Sequence, residues 1–359
     1  MNDDKKTLEN IPIPAEITDP VQTAKAMHLV YVNSGKEGFS RKRSGKSFIY
    51  FDGNKKIKDE VIIERIKKLI LPPAWEKVWI CKLPNGHLQA TGIDKMGRKQ
   101  YKYHANWSTA RNNTKFHRLY DFGKKLPDVR IVIQKNLDLP GFQKEKVLSA
   151  LLSILERTNI RIGNSFYEKL YGSFGLTTMK NRHVSINGAQ ISFAFKGKKG
   201  VNHKISLQSK KLANIIKGCK DISGKELFEF IDDKGEIHNI DSGMVNDYLR
   251  DITGSDFTAK DFRTWAGSVQ AIIALKEIGG HTSATELKQK LPQMFDLVAK
   301  QLGNTKAVCK KYYIHPSITE LYENNKLETY LSKLDASNNK DKSGLTPEEK
   351  VLMKILKKC

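Results

Sequence analysis

Val184-Ser-Ile-Asn-Gly-Ala-Gln-Ile-Ser-Phe-Ala-Phe-Lys-Gly-Lys-Lys-Gly-Val-Asn-His-Lys-Ile-Ser-Leu207 is the stretch on which the fold turns. Its apolar residues alternate at period two, Asn187-Gly188 supplies a tight reversal, and a Gly-Lys turn separates the last two runs. Three short antiparallel strands are therefore expected, from Val184 to Ile186, Gln190 to Phe195 and His203 to Leu207. Helical sequence lies on either side. Upstream, Phe142, Val147, Leu148, Leu151, Leu152 and Leu155 mark one face of a helix that leads directly into Arg161. Downstream, the helical stretches are Leu212 to Ile216, Lys225 to Ile231, Ser242 to Ile252, Lys260 to Ile278 and Thr285 to Leu302. This part of the chain reads as a mainly helical domain around one small antiparallel sheet.

Nearer the N-terminus the pattern changes to strands and turns. Lys46-Ser-Phe-Ile-Tyr-Phe-Asp-Gly-Asn54 reads as a strand entering a turn. Asp59 can cap a short helix whose apolar face is Val61, Ile62, Ile63, Ile66, Leu69 and Ile70, and Pro72-Pro73 end it. Trp75 to Cys81 and Leu88 to Ile93 form a hairpin expected to close at Asn85-Gly86. Arg98-Lys-Gln-Tyr-Lys-Tyr-His104 alternates cations with aromatics, a strand able to touch phosphate on one face and pack on the other. The expected class is α+β: a β-rich N-terminal domain over residues 1–115, a mainly helical domain over 116–322, and a C-terminal linker and short helix over 323–359. In that last segment Ala336 to Ser343 reads as flexible. Thr346-Pro347-Glu348-Glu349 then starts a helix carrying Val351, Leu352, Ile355 and Leu356.

The chain has 359 residues with 62 Lys+Arg against 39 Asp+Glu, a formal net charge of +23 that calls for a polyanionic partner. No apolar run approaches the roughly 20 residues of a spanning helix. Met1 to Lys6 lacks the apolar core of a signal peptide, so a cytoplasmic protein is expected. Cys81, Cys219, Cys309 and Cys359 are too scattered for a zinc site or redox pair and read as reduced, structural residues. Gly45-Lys46-Ser47 lacks the first glycine of a phosphate loop, since Ser40 stands in its place.

Splitting a phosphodiester without metal needs a nucleophile, fixed cations for the phosphoryl oxygens, and an acid for the departing alkoxide. Candidates for all three occur in order: Asn159-Ile-Arg161-Ile-Gly163-Asn164, Tyr171 to Thr178, Phe193 to His203 around Lys198, Lys260-Asp-Phe-Arg263-Thr-Trp265, and Leu302-Gly-Asn304 through Tyr312-Tyr313-Ile-His-Pro316.

This ordered set resembles the poxvirus and bacterial type IB DNA topoisomerases, from the Tyr31 region to Pro316. The resemblance implies that Tyr313 is the nucleophile, that Arg161 and Arg263 bind non-bridging oxygens, and that Lys198 is the general acid. Asn304 stands where poxvirus members have His and would stabilise the phosphate without shuttling a proton. Tyr312 replaces a usual serine. DNA contacts are expected from Arg98, Lys99, Gln100, Tyr101, Lys102, Tyr103, Lys199 and His203, with His203 and His315 either structural or phosphate-contacting. The family further implies a two-lobed clamp on duplex DNA, acting as a monomer near the nucleoid, with a 3′-phosphotyrosyl intermediate and with neither metal nor nucleotide cofactor. A tyrosine recombinase is the alternative, but Lys260 stands where H-x-x-R would put its histidine. A non-enzymatic architectural DNA-binding protein would also account for the charge.

Overall fold

The computed structural model describes residues 20–45, 47–95, 99–222, 224–332 and 344–358. Arg98, the expected linker from Ala336 to Ser343, Lys46 and Cys359 lie outside the described residues, as does the side chain of Lys99. The chain divides into two compact units, with the boundary between His117 and Arg118. The architecture is α+β, with antiparallel sheets in both units.

The first unit contains α1 (Pro20–Ala26), β1 (Phe39–Ser44), β2 (Ser47–Asp52), β3 (Lys55–Lys56), α2 (Glu60–Lys68), β4 (Glu76–Ile80), β5 (Leu88–Ile93) and β6 (Lys99–Tyr103). The strands make one six-stranded sheet in the order β3-β2-β1-β4-β5-β6. Phe39, Tyr50, Ile57, Ile66, Val78, Ile80 and Ala90 form its core with the apolar face of α2. Asp59 caps α2 as expected, its Oδ1 accepting from Val61 N at 2.8 Å. The β4–β5 connection is wider than a two-residue Asn-Gly turn. It runs over 81–87 and is stapled by Gln89 Nε2, which donates to the carbonyls of Pro84 at 2.9 Å and Gly86 at 2.7 Å. Gly86 is needed there for closeness, because a Cβ would come within 2.6 Å of Cys81 Sγ.

The unit boundary falls inside α3 (Ala105–Asn136), a helix of 32 residues. Its first turns carry Asn and Arg where an apolar stripe would have announced a helix. In the second unit follow α4 (Lys144–Thr158), α5 (Ser165–Tyr171), β7 (Val184–Asn187), β8 (Gln190–Lys196), β9 (Asn202–Gln208), α6 (Lys210–Asp221), β10 (Glu229–Ile231), β11 (Ile237–Asn239) and α7 (Ser242–Thr253). The chain ends with α8 (Ala259–Ile278), α9 (Ala284–Leu302), α10 (Lys306–Tyr312), α11 (Pro316–Glu323), α12 (Glu328–Leu331) and α13 (Pro347–Leu356).

Strands β7, β8 and β9 form the expected three-stranded antiparallel meander. Helices α4 and α8 run through the core: Leu148, Leu151, Leu152 and Ile154 of α4 and Ile272 and Leu275 of α8 are fully buried. The expected helix from Lys225 to Ile231 is absent. Its C-terminal half is β10, paired with β11, while Leu227 N donates to Met179 O at 2.6 Å. Buried Glu229 accepts from the backbone N–H groups of Lys225 and Glu226, which holds those residues in a turn. Among the described residues no helix is long and apolar enough to cross a membrane, and Cys81, Cys219 and Cys309 are free and buried.

Candidate active site

Arg161 does not continue α4. The helix stops at Thr158 because Asn159 takes the left-handed conformation, φ +56°, with its N–H on Leu155 O at 2.9 Å. The chain then runs extended beside residues 175–177, where Leu176 N donates to Arg161 O at 2.9 Å and Thr177 N to Ile162 O at 2.7 Å. Gly175 permits that approach, since a Cβ would stand 2.6 Å from Arg161 O and 2.5 Å from Gly163. The sequence motifs around Arg161 and around Gly175 are thus two sides of one backbone pairing.

The Arg161 guanidinium donates through Nη2 to Gly303 O at 3.2 Å and to Asn304 Oδ1. Burial lowers its pKa to about 10, assisted by the charge of Arg263, so it remains a cation at neutral pH. Gly303 ends α9 with φ +58°, and Asn304 N bonds back to Ala299 O at 2.9 Å. The expected neutral donor, Asn304, therefore uses its oxygen to hold Arg161, while Nδ2 makes only a long contact of 3.4 Å to Leu302 O.

Arg263 lies in the second turn of α8, after the Thr258/Asp261 capping box. It is 4% exposed and donates to Asn159 O and, at 2.8 Å, to Leu302 O. Its Nε is buried with no hydrogen-bond partner among the described residues. Both arginines are thereby held on neutral amide oxygens that carry only partial charge, and among the described residues neither guanidinium is paired with a carboxylate.

Tyr313 is the residue just past α10, with φ −127° and ψ −15°. Its N–H bonds to Cys309 O at 2.9 Å, and its carbonyl accepts from Ser268 Oγ at 3.3 Å. Gly267 lets this backbone lie against α8: a Cβ there would be 2.5 Å from Tyr313 O. The Arg263 guanidinium carbon is 5.3 Å from the Tyr313 ring centroid. Tyr312 is 37% exposed, with Lys311 Nζ 5.5 Å from its ring centroid. His315 is buried. Its Nδ1 accepts from Ser317 N at the start of α11, and its N–H donates to Ser268 Oγ at 3.0 Å.

Lys198 opens the turn between β8 and β9, where Lys199 has φ +62° and Gly200 φ +77°. Both lysines are exposed, and Lys198 lines a cleft with Asn159, Arg161, Gly197, His203 and Leu302. His203 sits inside this group. Its ring stacks on Phe195 at 5.1 Å, and Cβ atoms at Gly197 and Gly303 would come within 2.6 and 2.5 Å of it. Burial, then the charges of Arg161 and Arg263, push its pKa down. The second unit thus brings together Arg161, Lys198, His203, Arg263, Asn304 and Tyr313. Gly267 and Ser268, which seat the tyrosine, and Asn159, whose carbonyl receives Arg263, carried no sequence signal of their own.

The remaining expected contact residues are on β6 in the first unit. Gln100 donates to Asp94 Oδ2 at 2.9 Å, Lys102 is exposed, and Tyr101 is 49% exposed. Tyr101 stacks on Tyr103, with ring centroids 6.0 Å apart, and Tyr103 packs toward Met27, Leu29 and Trp107.

A buried and a half-buried arginine beside a seated tyrosine, on a helical domain with a lysine-tipped hairpin, define a class that the comparisons with known proteins identify. Residues 104–338 match the catalytic core of eukaryotic DNA topoisomerase I, and residues 47–94 match the N-terminal domain of bacterial DNA topoisomerase IB. DNA topoisomerase 1B of Acanthamoeba polyphaga mimivirus is 34% identical over 298 residues, covering 80% of this chain and 88% of the relative. DNA topoisomerase 1B of vaccinia virus (strain Copenhagen) is 23% identical over 247 residues, covering 67% and 74%. The chain belongs to the type IB DNA topoisomerase family, and the recombinase alternative is not favoured.

Proposed function

We propose that this type IB topoisomerase relaxes supercoiled duplex DNA by transient cleavage of one strand, with Tyr313 as the nucleophile. The observation that carries the residue assignment is the placement of Tyr313 beside Arg263, whose buried Nε has no hydrogen-bond partner among the described residues, while Arg161 shares the same site. The phenolic oxygen of Tyr313, its proton passing to water, attacks the scissile phosphorus, forming a 3′-phosphotyrosyl bond as the bond from phosphorus to the 5′ oxygen breaks. Arg161 and Arg263 bind the non-bridging oxygens, where negative charge concentrates in the transition state. Lys198 delivers a proton to the departing 5′ oxygen, and Asn304 orients Arg161 and offers an amide hydrogen to the phosphate.

The free 5′ end swivels and then attacks the phosphotyrosine, restoring the original linkage. One phosphodiester is exchanged for another of similar energy, so the cycle draws on no nucleotide. Solvent-facing Lys199 and β6 of the N-terminal domain supply backbone contacts from both lobes of a clamp around DNA. The domains are 1–115, 116–322 and the tail 323–359, and the enzyme works as a monomer in the cytoplasm, at the nucleoid. Counterion release then makes affinity fall as salt rises.

Relaxation of a supercoiled plasmid in EDTA without ATP tests this directly. Tyr313→Phe is expected to bind DNA, form no covalent adduct and relax nothing, whereas Tyr312→Phe keeps most activity. Mapping the trapped nucleotide to Tyr312 would overturn the assignment.

A further inference from the structure

A buried charge cluster of the second unit lies outside the cleft. Arg130 of α3 stands between Glu156 of α4 and Glu349 of α13, with Nε 2.8 Å from Glu156 Oε1 and Nη2 2.7 Å from Glu349 Oε1. Its Nη1 donates to Glu349 Oε2 at 3.0 Å and to Gly344 O at 2.5 Å. Glu349 is 5% exposed, and it also accepts from Thr346 N at 2.8 Å and from Trp265 Nε1 at 2.8 Å. One carboxylate therefore ties α13 to both α3 and α8.

Docking alone does not require this. Val351, Leu352, Ile355 and Leu356 already bury an apolar face of α13, and a buried ion cluster carries a desolvation cost that more leucine would avoid. What the charges add is a single register, because the carboxylate meets all its donors in only one placement of α13. That placement grips Trp265, two residues after Arg263 and so about 200° around α8 from it. The grip is on the back of the helix whose front holds the guanidinium. Trp265 has no slack on that side: its ring lies 6.0 Å from Phe122, and a Cβ at Gly123 would come within 2.4 Å of it. Helix α13 also packs against α11, which begins just after Tyr313, Ile314 and His315. It lies beyond both stretches matched to the family.

We propose that α13 is a positioning element for strand cleavage, in which Glu349 acts through Trp265 to set the seat of α8 and hence of Arg263 and Tyr313 against the phosphate. This rests on the assignment of Arg263 and Tyr313 made above. Trp265→Phe removes the N–H together with part of the indole's volume, and Glu349→Gln removes the charge while keeping the shape.

The full chain is assayed for single-turnover adduct formation on a DNA that cannot religate, at saturating enzyme, alongside DNA affinity and the thermal midpoint. Both variants are expected to cleave about 10–100-fold more slowly at unchanged affinity, the usual cost of a small misplacement away from the chemistry. A wild-type cleavage rate with a lowered midpoint would reduce α13 to a structural staple and overturn the proposal. So would a rate loss that disappears once DNA is saturating. If Glu349→Gln does not fold, Trp265→Phe decides alone. Tyr313→Phe runs in parallel: adduct from that variant sinks the assignment of the nucleophile, whereas its silence beside a fully active Trp265→Phe sinks only the role of α13.

Discussion

Arg263 and Lys198 serve the same phosphodiester in the proposed reaction, yet the fold treats them in opposite ways. Arg263 is buried, tied to two backbone carbonyls and overlooked by the tyrosine ring. Lys198 stands exposed on a hairpin turn whose backbone, not its side chain, is fixed by Gly197 N on Val201 O at 2.7 Å. A group that stabilises charge works best when its orientation is set before the reaction, and carbonyl partners hold it without cancelling its charge. A group that gives up a proton has to reach one particular oxygen and later take the proton back, so an exposed turn suits it.

This contrast predicts different consequences on removal. Lys198→Ala is expected to slow cleavage by about 10²–10⁴-fold. The thermal midpoint should stay put, because an exposed side chain is lost. A substrate with sulfur at the 5′ bridging position should restore the rate, since sulfur leaves without a proton; failure of that rescue would move the acid role to a neighbour such as Lys199. Arg263→Ala is expected to cost about 10²–10³-fold in cleavage, with no rescue by sulfur. It should also lower stability by about 1–3 kcal/mol, because Asn159 O and Leu302 O lose their donor. A midpoint unchanged by Arg263→Ala would break the comparison at its root.

Asn304 sharpens it. Asn304→Ala removes the oxygen that holds Arg161 together with the free amide hydrogen, and a loss of about 10²-fold in single-turnover cleavage is expected. Asn304→His should keep more activity than alanine, because an imidazole nitrogen can accept from Arg161 as the amide oxygen does. Equal rates for the two variants would remove Asn304 from the site.

The smallest effect concerns acid. Burial, with Arg161 and Arg263, holds His203 neutral in the folded protein at pH values where the unfolded chain, near pH 6.5, has already taken a proton. Stability from this source is therefore complete above that pH and falls as acid is added, because unfolding then binds protons. Replacing His203 with Gln should flatten part of the decline of the thermal midpoint below pH 6.5. His104 and His183, also lowered by burial, keep the rest. An unaltered slope would mean that the ring is already protonated in the fold.

The candidate side chains Arg161, Lys198, Arg263 and Tyr313 could be picked out of the sequence because they stand in motifs that resemble a known family's, in a fixed order. Their supports could not. Arg161 and Arg263 rest on the carbonyls of Gly303, Asn159 and Leu302, and any residue type offers a carbonyl. The meander from Val184 to Leu207 was readable from alternation and turn residues, and the capped start of α13 from Thr346-Pro347. Lys225 to Ile231 misled because buried Leu227 and Phe228 mimic a helical stripe, while the Glu229 carboxylate that ties down the turn is a tertiary contact. Long-range partners such as Glu349 and Trp265 lie 84 positions apart, and no local pattern joins them.

Gly267 has a meaning beyond packing. With no methyl between α8 and the main chain of Tyr313, the tyrosine is seated on the core of its domain by its own backbone. In the proposed cycle the captured 3′ end inherits that seat, so one end of the nick is moored to the protein while the other turns freely. A missing side chain would then act as a guardian of strand continuity, since an end that cannot drift is always where its partner must return.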